Sequence, residues 1–335
     1  MTTERTVTAG RREPLESVLE TIGETPLVRV QASPDEVPVF AKLESFNPGA
    51  SVKDRIGAYI IEGLLESGDL EPGGRVVEPT AGNTGLGMAL AATQYDVEAV
   101  FVVPEKFSVE KQTLMRALGA QVINTPTEDG MERAIEHAYE VVEDEDNAVV
   151  PQQFSTPLNV EAHEATTGPE LYDALDGEVG ALVVGCGTAG TLVGTARHLR
   201  ERIPGLYVVA VEPEGSVFAR AHGEDVEEEE YNIEGIGTHD LSTNELFDGD
   251  IVDEIHQVGD REAQDELKRL AREEGHLVAT SAGAASAAAL DVAERATAGD
   301  ISLPHDTVVT VFPDSSERYL SKGIYDSYEE WTSNE

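Results

Sequence analysis

Lys53 stands in the stretch FNPGASVKDRIGA, residues 46–58, at a place poorly suited to a cation. Ser51 reads as a helix N-cap, and Asp54 three residues later completes a capping-box pattern. Lys53 then falls in the first helical turn, against the positive end of the helix dipole. The chain has only six lysines in 335 residues, so one in that position calls for a use. A lysine at a helix N-terminus, in a pocket lined by glycine and serine, has a lowered amine pKa. A neutral amine can attack an aldehyde and form a Schiff base. The bland alternative is a solvated lysine, or one paired with Asp54.

Two glycine-rich segments could complete such a site. In GALVVGCGTAGTLVGTA a strand, a loop and a helix follow one another. Gly187 and Gly190 admit close backbone approach, Thr188 and Thr191 add hydroxyls, and the helix start suits a phosphate. Residues 185–190 also match G-x-G-x-x-G, and Glu212 closes the next strand. That is the dinucleotide fingerprint with its ribose-binding acid, and it leaves an NAD-dependent oxidoreductase open. Glu212 can equally be a solvated acid at a strand end. In VVEPTAGNTGLGMALAA, Thr80, Gly82, Asn83 and Thr84 place backbone N–H groups, an amide and hydroxyls at a second helix start. This suits a carboxylate, although Asn83 could serve only as an N-cap. An aldehyde that also carries a phosphate would answer both Lys53 and the first loop. Pyridoxal phosphate has both groups.

These loops need strands and helices to hold them. Apolar, β-rich runs recur at 37–43, 74–79, 97–104, 120–126, 147–151, 180–185, 206–213 and 306–313. Helical patterns lie at 53–67, 83–95, 108–118, 129–145, 159–175, 190–203, 260–274 and 281–298. Continuous apolar strands alternating with amphipathic helices predict parallel sheets covered on both faces. In such sheets ligands bind at the carboxyl ends of strands, where the Gly, Ser and Thr loops fall. The loops IEGIGTH (233–239) and TSAGAAS (280–286) join the same group. The first dozen residues read as a disordered arm, as do the last few after Trp331.

Composition bounds the partners. With 65 acidic and 23 basic residues the net charge is -42. Such a field repels nucleic acid and anionic membrane. A solvated acidic surface, as in proteins of a salt-rich cytoplasm, is the expectation. The single cysteine, Cys186, permits no internal disulfide and reads as a packing residue. No apolar run reaches the roughly 18 residues of a membrane span, and residues 1–16 do not resemble a signal peptide, so a cytoplasmic location is expected.

The blocks SVKDR, EPTAGNTG, QQF, TTGPE, GCGTAGT, IEGIG, SAGAA and PDSSERYLS occur in this order. Together they resemble the cysteine synthase and cystathionine β-synthase family of pyridoxal phosphate enzymes, from about Ile22 to about Tyr325. The resemblance implies fold-type II architecture: two three-layer α/β/α domains with mostly parallel sheets. It places an N-terminal segment (1–44) with the large unit, a small mobile domain at 45–150 carrying AGNTG, and a large cofactor-binding domain at 151–330. Lys53 would hold the cofactor as an internal aldimine and then abstract the substrate α-proton. Asn83 would bond the phenolic oxygen, and Ser281 the pyridine nitrogen. Gly187, Thr188, Ala189, Gly190 and Thr191 would cradle the phosphate. Thr80, Ala81, Gly82, Thr84 and Gln153 would hold the substrate carboxylate, with Gly235 and Gly237 beside the substrate. The reaction implied is β-replacement through an α-aminoacrylate, giving cysteine from O-acetylserine and sulfide. Homocysteine as acceptor is second choice, and serine or O-phosphoserine are alternative donors; Arg220 is a candidate for a phosphoserine site. Many members carry Ser where Ala81 stands and Gly where Ala189 stands. A homodimer is implied, and no metal. A third possibility is a non-catalytic relative that holds a partner protein's tail in the cleft.

Overall fold

The structure is a computed structural model that describes residues 14–333. The expected N-terminal arm lies outside the described residues; after Trp331, where disorder was also expected, Thr332 and Ser333 instead donate to Tyr328 O and Glu330 O because they close the turn that ends the last helix. The strands, in chain order, are β1 (Leu27–Arg29), β2 (Val39–Leu43), β3 (Gly74–Glu78), β4 (Val97–Pro104), β5 (Gln121–Thr125), β6 (Ala148–Val149), β7 (Ala181–Gly185), β8 (Tyr207–Pro213), β9 (Glu254–Val258) and β10 (Val308–Phe312). The α-helices are α1 (Lys53–Ser67), α2 (Asn83–Ala92), α3 (Val109–Ala117), α4 (Gly130–Val142), α5 (Pro157–Ala165), α6 (Thr167–Ala174), α7 (Gly190–Arg202), α8 (Asp260–Arg269), α9 (Thr280–Ala298) and α10 (Tyr328–Trp331).

Two sheets result. One has six strands in the order β1-β2-β10-β7-β8-β9, the other four in the order β5-β4-β3-β6. Every pairing is parallel except that of β1 with β2. Both faces of each sheet are covered, as the continuous apolar strands predict. In the larger sheet Val183 and Val209 pack against α8 and α9, while Leu182, Val184 and Val208 pack against α7. In the smaller sheet Val76, Phe101 and Val103 meet α1 and α2, and Val77, Val100 and Val102 meet α4.

Each sheet contains a topological switch point, and the two point to one site. From β7 the chain proceeds to β8 and β9 on one side, whereas β10 lies on the other. From β3 it proceeds to β4 and β5, whereas β6 lies on the other side. The crevices open at the carboxyl ends of β7 and β10, and of β3 and β6.

Several expected elements differ in the structure. The helix expected over 159–175 is two helices that meet at Thr166, whose backbone leaves helical geometry. Pro169 has no N–H to give to the carbonyl of Ala165, so the first helix cannot run through. Pro157 starts that helix two residues early, a position where a missing N–H costs nothing. The segment 260–274 is α-helical to Arg269 and then makes one π turn ending at Gly275. The strands β1 and β9 were not expected. Both are sheet edges, and their polar residues break the apolar run that marks a buried strand.

The capping box expected at Ser51 and Asp54 does not form. Val52 takes the cap position, and Ser51 Oγ accepts only from Lys53 N, at 3.3 Å. Asp54 turns back to accept from Gly49 N at 2.5 Å, and burial pushes its carboxyl up to about 7. The start of α1 is anchored instead by Val52 N donating to Pro313 O at 2.8 Å, beside the end of β10.

Candidate active site

A cavity of about 1060 Å³ occupies the two crevices. All fifteen site residues that the resemblance implies line it or abut it: Gly190 is the one that does not contribute surface, being packed behind the loop. Helix α1 brings Lys53 into it, and α2 brings Asn83. These helices cross closely: a Cβ on Gly57 would lie 2.2 Å from the carbonyl carbon of Gly87. Only glycine at that crossing sets the two helix starts side by side.

Lys53 Nζ lies 3.4 Å from Thr188 Oγ1 and forms no ion pair among the described residues. Burial lowers its amine to about 8, against a smaller upward pull from Asp314. The lowered pKa agrees with expectation, but the cause is chiefly desolvation rather than the helix dipole. An amine half neutral at pH 8 should react with a simple aldehyde, and borohydride should fix the product. Peptide mass spectrometry of the cofactor-free protein should show half-maximal labelling of Lys53 near pH 8. Half-maximal labelling near 10.4, the ordinary lysine value, is the contrary result.

The loop 186–189 joins β7 to α7. Thr188 Oγ1 accepts from Asn159 Nδ2 at 3.0 Å as well as from Lys53, so its own proton is free to donate into the cavity. Ala189, at φ +67°, turns the chain into α7, whose first turn has no side-chain cap. Its N–H groups are therefore open to an anion. An alanine in this left-handed position costs about 1 kcal/mol that glycine would not. Gly187 and Gly190 are required by packing: a Cβ would lie 2.4 Å from Gly235 O and 1.9 Å from Asn159 Oδ1 respectively. Thr191 Oγ1 meets His163 Nε2 at 3.1 Å, and burial holds that imidazole well below its usual pKa, hence neutral. Gly237 N donates to Cys186 O at 2.7 Å, which brings the 235–237 segment against the same loop.

The second crevice carries Thr80, Ala81, Gly82 and Thr84. Thr84 Oγ1 donates to Gln153 Oε1 at 2.5 Å, joining the segments that follow β3 and β6. Glu78 at the end of β3 accepts from the backbone N of both Gln152 and Gln153 at 3.1 Å, and burial raises it to about 7. Helix α2 also lacks a side-chain cap. Asn83 donates from Nδ2 to Asp314 Oδ2 at 2.7 Å and accepts from Arg318 at 3.0 Å. Ser281 lies in the first turn of α9, buried at the cavity wall.

Comparison with known proteins agrees with this geometry. The pyridoxal-phosphate dependent enzyme family matches residues 18–314. This chain belongs to that family. Among relatives, an O-acetylserine dependent cystathionine β-synthase of Bacillus subtilis is 44% identical over 92% of this chain and 97% of its own. A cysteine synthase of Helicobacter pylori is 41% identical over 91% and 97%. The crystal structure of a cysteine synthase from Entamoeba histolytica superposes with a TM-score of 0.89 at 32% identity, over 99% of this chain and 98% of that one.

A pyridoxal-phosphate dependent enzyme needs an amine, an anion cradle and a slot between them. Lys53, the uncapped start of α7 and the free Thr188 proton fit that need. The dinucleotide alternative fails on Glu212. It is neither a ribose acceptor nor solvated: it is fully buried and accepts from the backbone N of Phe218 and Ala219 at 2.8 and 3.1 Å and from Gln257 at 3.0 Å. Its oxygens are already engaged. Arg220 also lies outside the cavity, exposed and bonded to Val226 O. Cys186 is buried in the core, as expected, and burial raises its thiol pKa. Asn159, His163, Asp314 and Lys111 belong to the site or its support without having been singled out. No described helix is long and apolar enough to cross a membrane.

Proposed function

We propose that the protein is a cysteine synthase that replaces the acetoxy group of O-acetylserine with sulfide. The observation that carries this reading is Lys53: a buried amine poised near neutrality, beside an uncapped anion cradle and facing the second uncapped helix start.

The cradle at Gly187, Thr188, Ala189, Gly190 and Thr191 would hold the cofactor phosphate, with Ser281 at the ring nitrogen and Asn83 at the phenolic oxygen. Bound pyridoxal phosphate would supply an electron sink for charge released at the substrate α-carbon. Lys53 Nζ would take the α-proton and later return it. Its lowered pKa suits a base near neutral pH. The N–H groups at the start of α2, with Thr80, Ala81, Gly82, Thr84 and Gln153, would orient the substrate carboxylate. Gly235 and Gly237 would border the substrate and limit water. Ala81 has no hydroxyl, so this carboxylate site relies on backbone donors and on Thr80 and Thr84. The same reading includes a homodimer, and a smaller unit of about residues 45–150 that closes on the carboxylate.

The test is a visible absorption spectrum of the cofactor-loaded protein in high salt, with O-acetylserine, O-phosphoserine and serine added in separate samples. A spectral change with O-acetylserine, reversed by sulfide as cysteine accumulates, is expected. Response to serine or O-phosphoserine alone overturns the choice of donor.

A further inference from the structure

Behind the cradle lie two polar side chains that the proposed mechanism does not use. Asn159 and His163 stand one turn apart on one face of α5, and both are fully buried. Gly194 of α7 lets that face come close: a Cβ there would lie 2.2 Å from Val160 O. Asn159 then meets Thr188, and His163 meets Thr191, the two hydroxyls of the cradle.

The direction of each hydrogen bond follows from the partner on its far side. Asn159 Nδ2 donates to Gln153 O at 2.7 Å, and a carbonyl oxygen can only accept. The amide therefore cannot be turned round, and its second N–H donates to Thr188 Oγ1 at 3.0 Å. His163 Nδ1 lies 2.8 Å from Thr167 Oγ1, which is fully buried at the start of α6 and has no other hydrogen bond among the described residues. A buried hydroxyl without an acceptor is costly, so the Thr167 proton goes to Nδ1. Burial, with the nearby charges of Arg55 and Lys53, keeps the imidazole neutral against the pull of Glu170. A neutral ring that accepts at Nδ1 carries its proton on Nε2, and that proton goes to Thr191 Oγ1 at 3.1 Å. Each threonine thus receives a donor from behind, and its own proton turns to the cavity. Residues 185–191 contribute no cationic side chain, so an anion there depends on neutral donors that point the right way.

We propose that Asn159 and His163 are positioning residues that commit the Thr188 and Thr191 hydroxyls to donate to the cofactor phosphate, with Thr167 fixing the tautomer of His163. The proposal rests on the reading of this loop as a phosphate cradle. Hydroxyls set as donors before the anion arrives need no reorganisation when it binds.

The test uses the full-length protein freed of cofactor, with pyridoxine 5′-phosphate and pyridoxine as probes. Neither carries an aldehyde, so neither reacts with Lys53. Calorimetry should show the phosphorylated probe bound at least about 100-fold more tightly by the wild type. Thr191→Val and His163→Leu should each weaken it by about tenfold and leave pyridoxine within about twofold. The double variant should lie within about twofold of Thr191→Val alone, because His163 acts through Thr191. Thr188→Val and Asn159→Ala should behave in the same way. His163→Gln, which keeps a nitrogen donor near the Nε2 position, should recover most of the loss. Losses that multiply in the double variants overturn the proposal and leave the cradle standing. A wild type that binds both probes alike overturns the cradle, and the proposal with it. One measurement needs no variant: 15N NMR of the wild type should find the His163 ring neutral with its proton on Nε2. A proton on Nδ1 would sink the proposal for His163.

Discussion

Lys53→Ala is expected to lower turnover by at least about 1000-fold while the protein unfolds at an unchanged denaturant concentration. Loss of a positioned proton carrier accounts for about 100- to 10,000-fold by itself, and loss of the covalent attachment adds to that. The fold should be spared because Lys53 makes no ion pair among the described residues and only a 3.4 Å contact to Thr188. Removing an amine that burial already disfavours relieves a desolvation cost. The cradle around α7 does not depend on Lys53, so the variant should still bind the cofactor, without the colour of the covalent form. Lys53→Arg should be equally inactive, since a guanidinium stays protonated. Turnover within tenfold of wild type in either variant would remove Lys53 from the mechanism.

The architecture was legible where burial made the sequence monotonous. The run 97–104 is strand β4 residue for residue, because a strand covered on both faces has no reason to alternate. The edge strands β1 and β9 were not, because most of their residues are only partly buried and include polar side chains. The loops were legible for a different reason: glycines and hydroxyls after an apolar strand mark open N–H groups. Asn159 was hidden, since its importance comes chiefly from a contact with Thr188, 29 residues on, besides a local one with Gln153 O at 2.7 Å. An asparagine in the first turn of a helix after STPL was the available hint. Glu212 misled because its spacing fits a fingerprint, while its neighbours in space supply backbone donors. Lys111 had the same signal as Lys53, its rarity in an acidic chain, without a cap pattern to draw notice.

Arg55→Met should destabilise the protein by about 3–5 kcal/mol at pH 7, the cost of leaving buried charges without their partner. Arg55 lies two residues beyond Lys53 and is almost fully buried. It binds Glu44 at 2.7 and 2.9 Å and Glu170 at 2.6 and 2.8 Å. Glu44 follows β2 of the larger sheet, and Glu170 stands on α6, so the network fixes the start of α1 to that sheet. Burial opposes charge on Glu170, but hydrogen bonds from Arg55, and a second from Lys42, hold its carboxyl at about 2. A carboxyl held below its unfolded value of about 4.3 stabilises the fold at higher pH and loses that contribution as pH falls from there toward 2. In the variant Glu170 keeps only Lys42 and Glu44 loses its counter-ion, so acid, by neutralising carboxylates, relieves the penalty. The stability gap between wild type and Arg55→Met should therefore be widest near pH 7 and narrow as pH drops below about 5. Urea midpoints across that range measure it, and a gap that stays constant with pH would mean that charge is not its cause. Because Arg55 and Lys53 share a helical turn, cofactor affinity should also fall under conditions where the variant remains folded. The network that bridges β2, α1 and α6 would then position the reactive amine as well as support the fold.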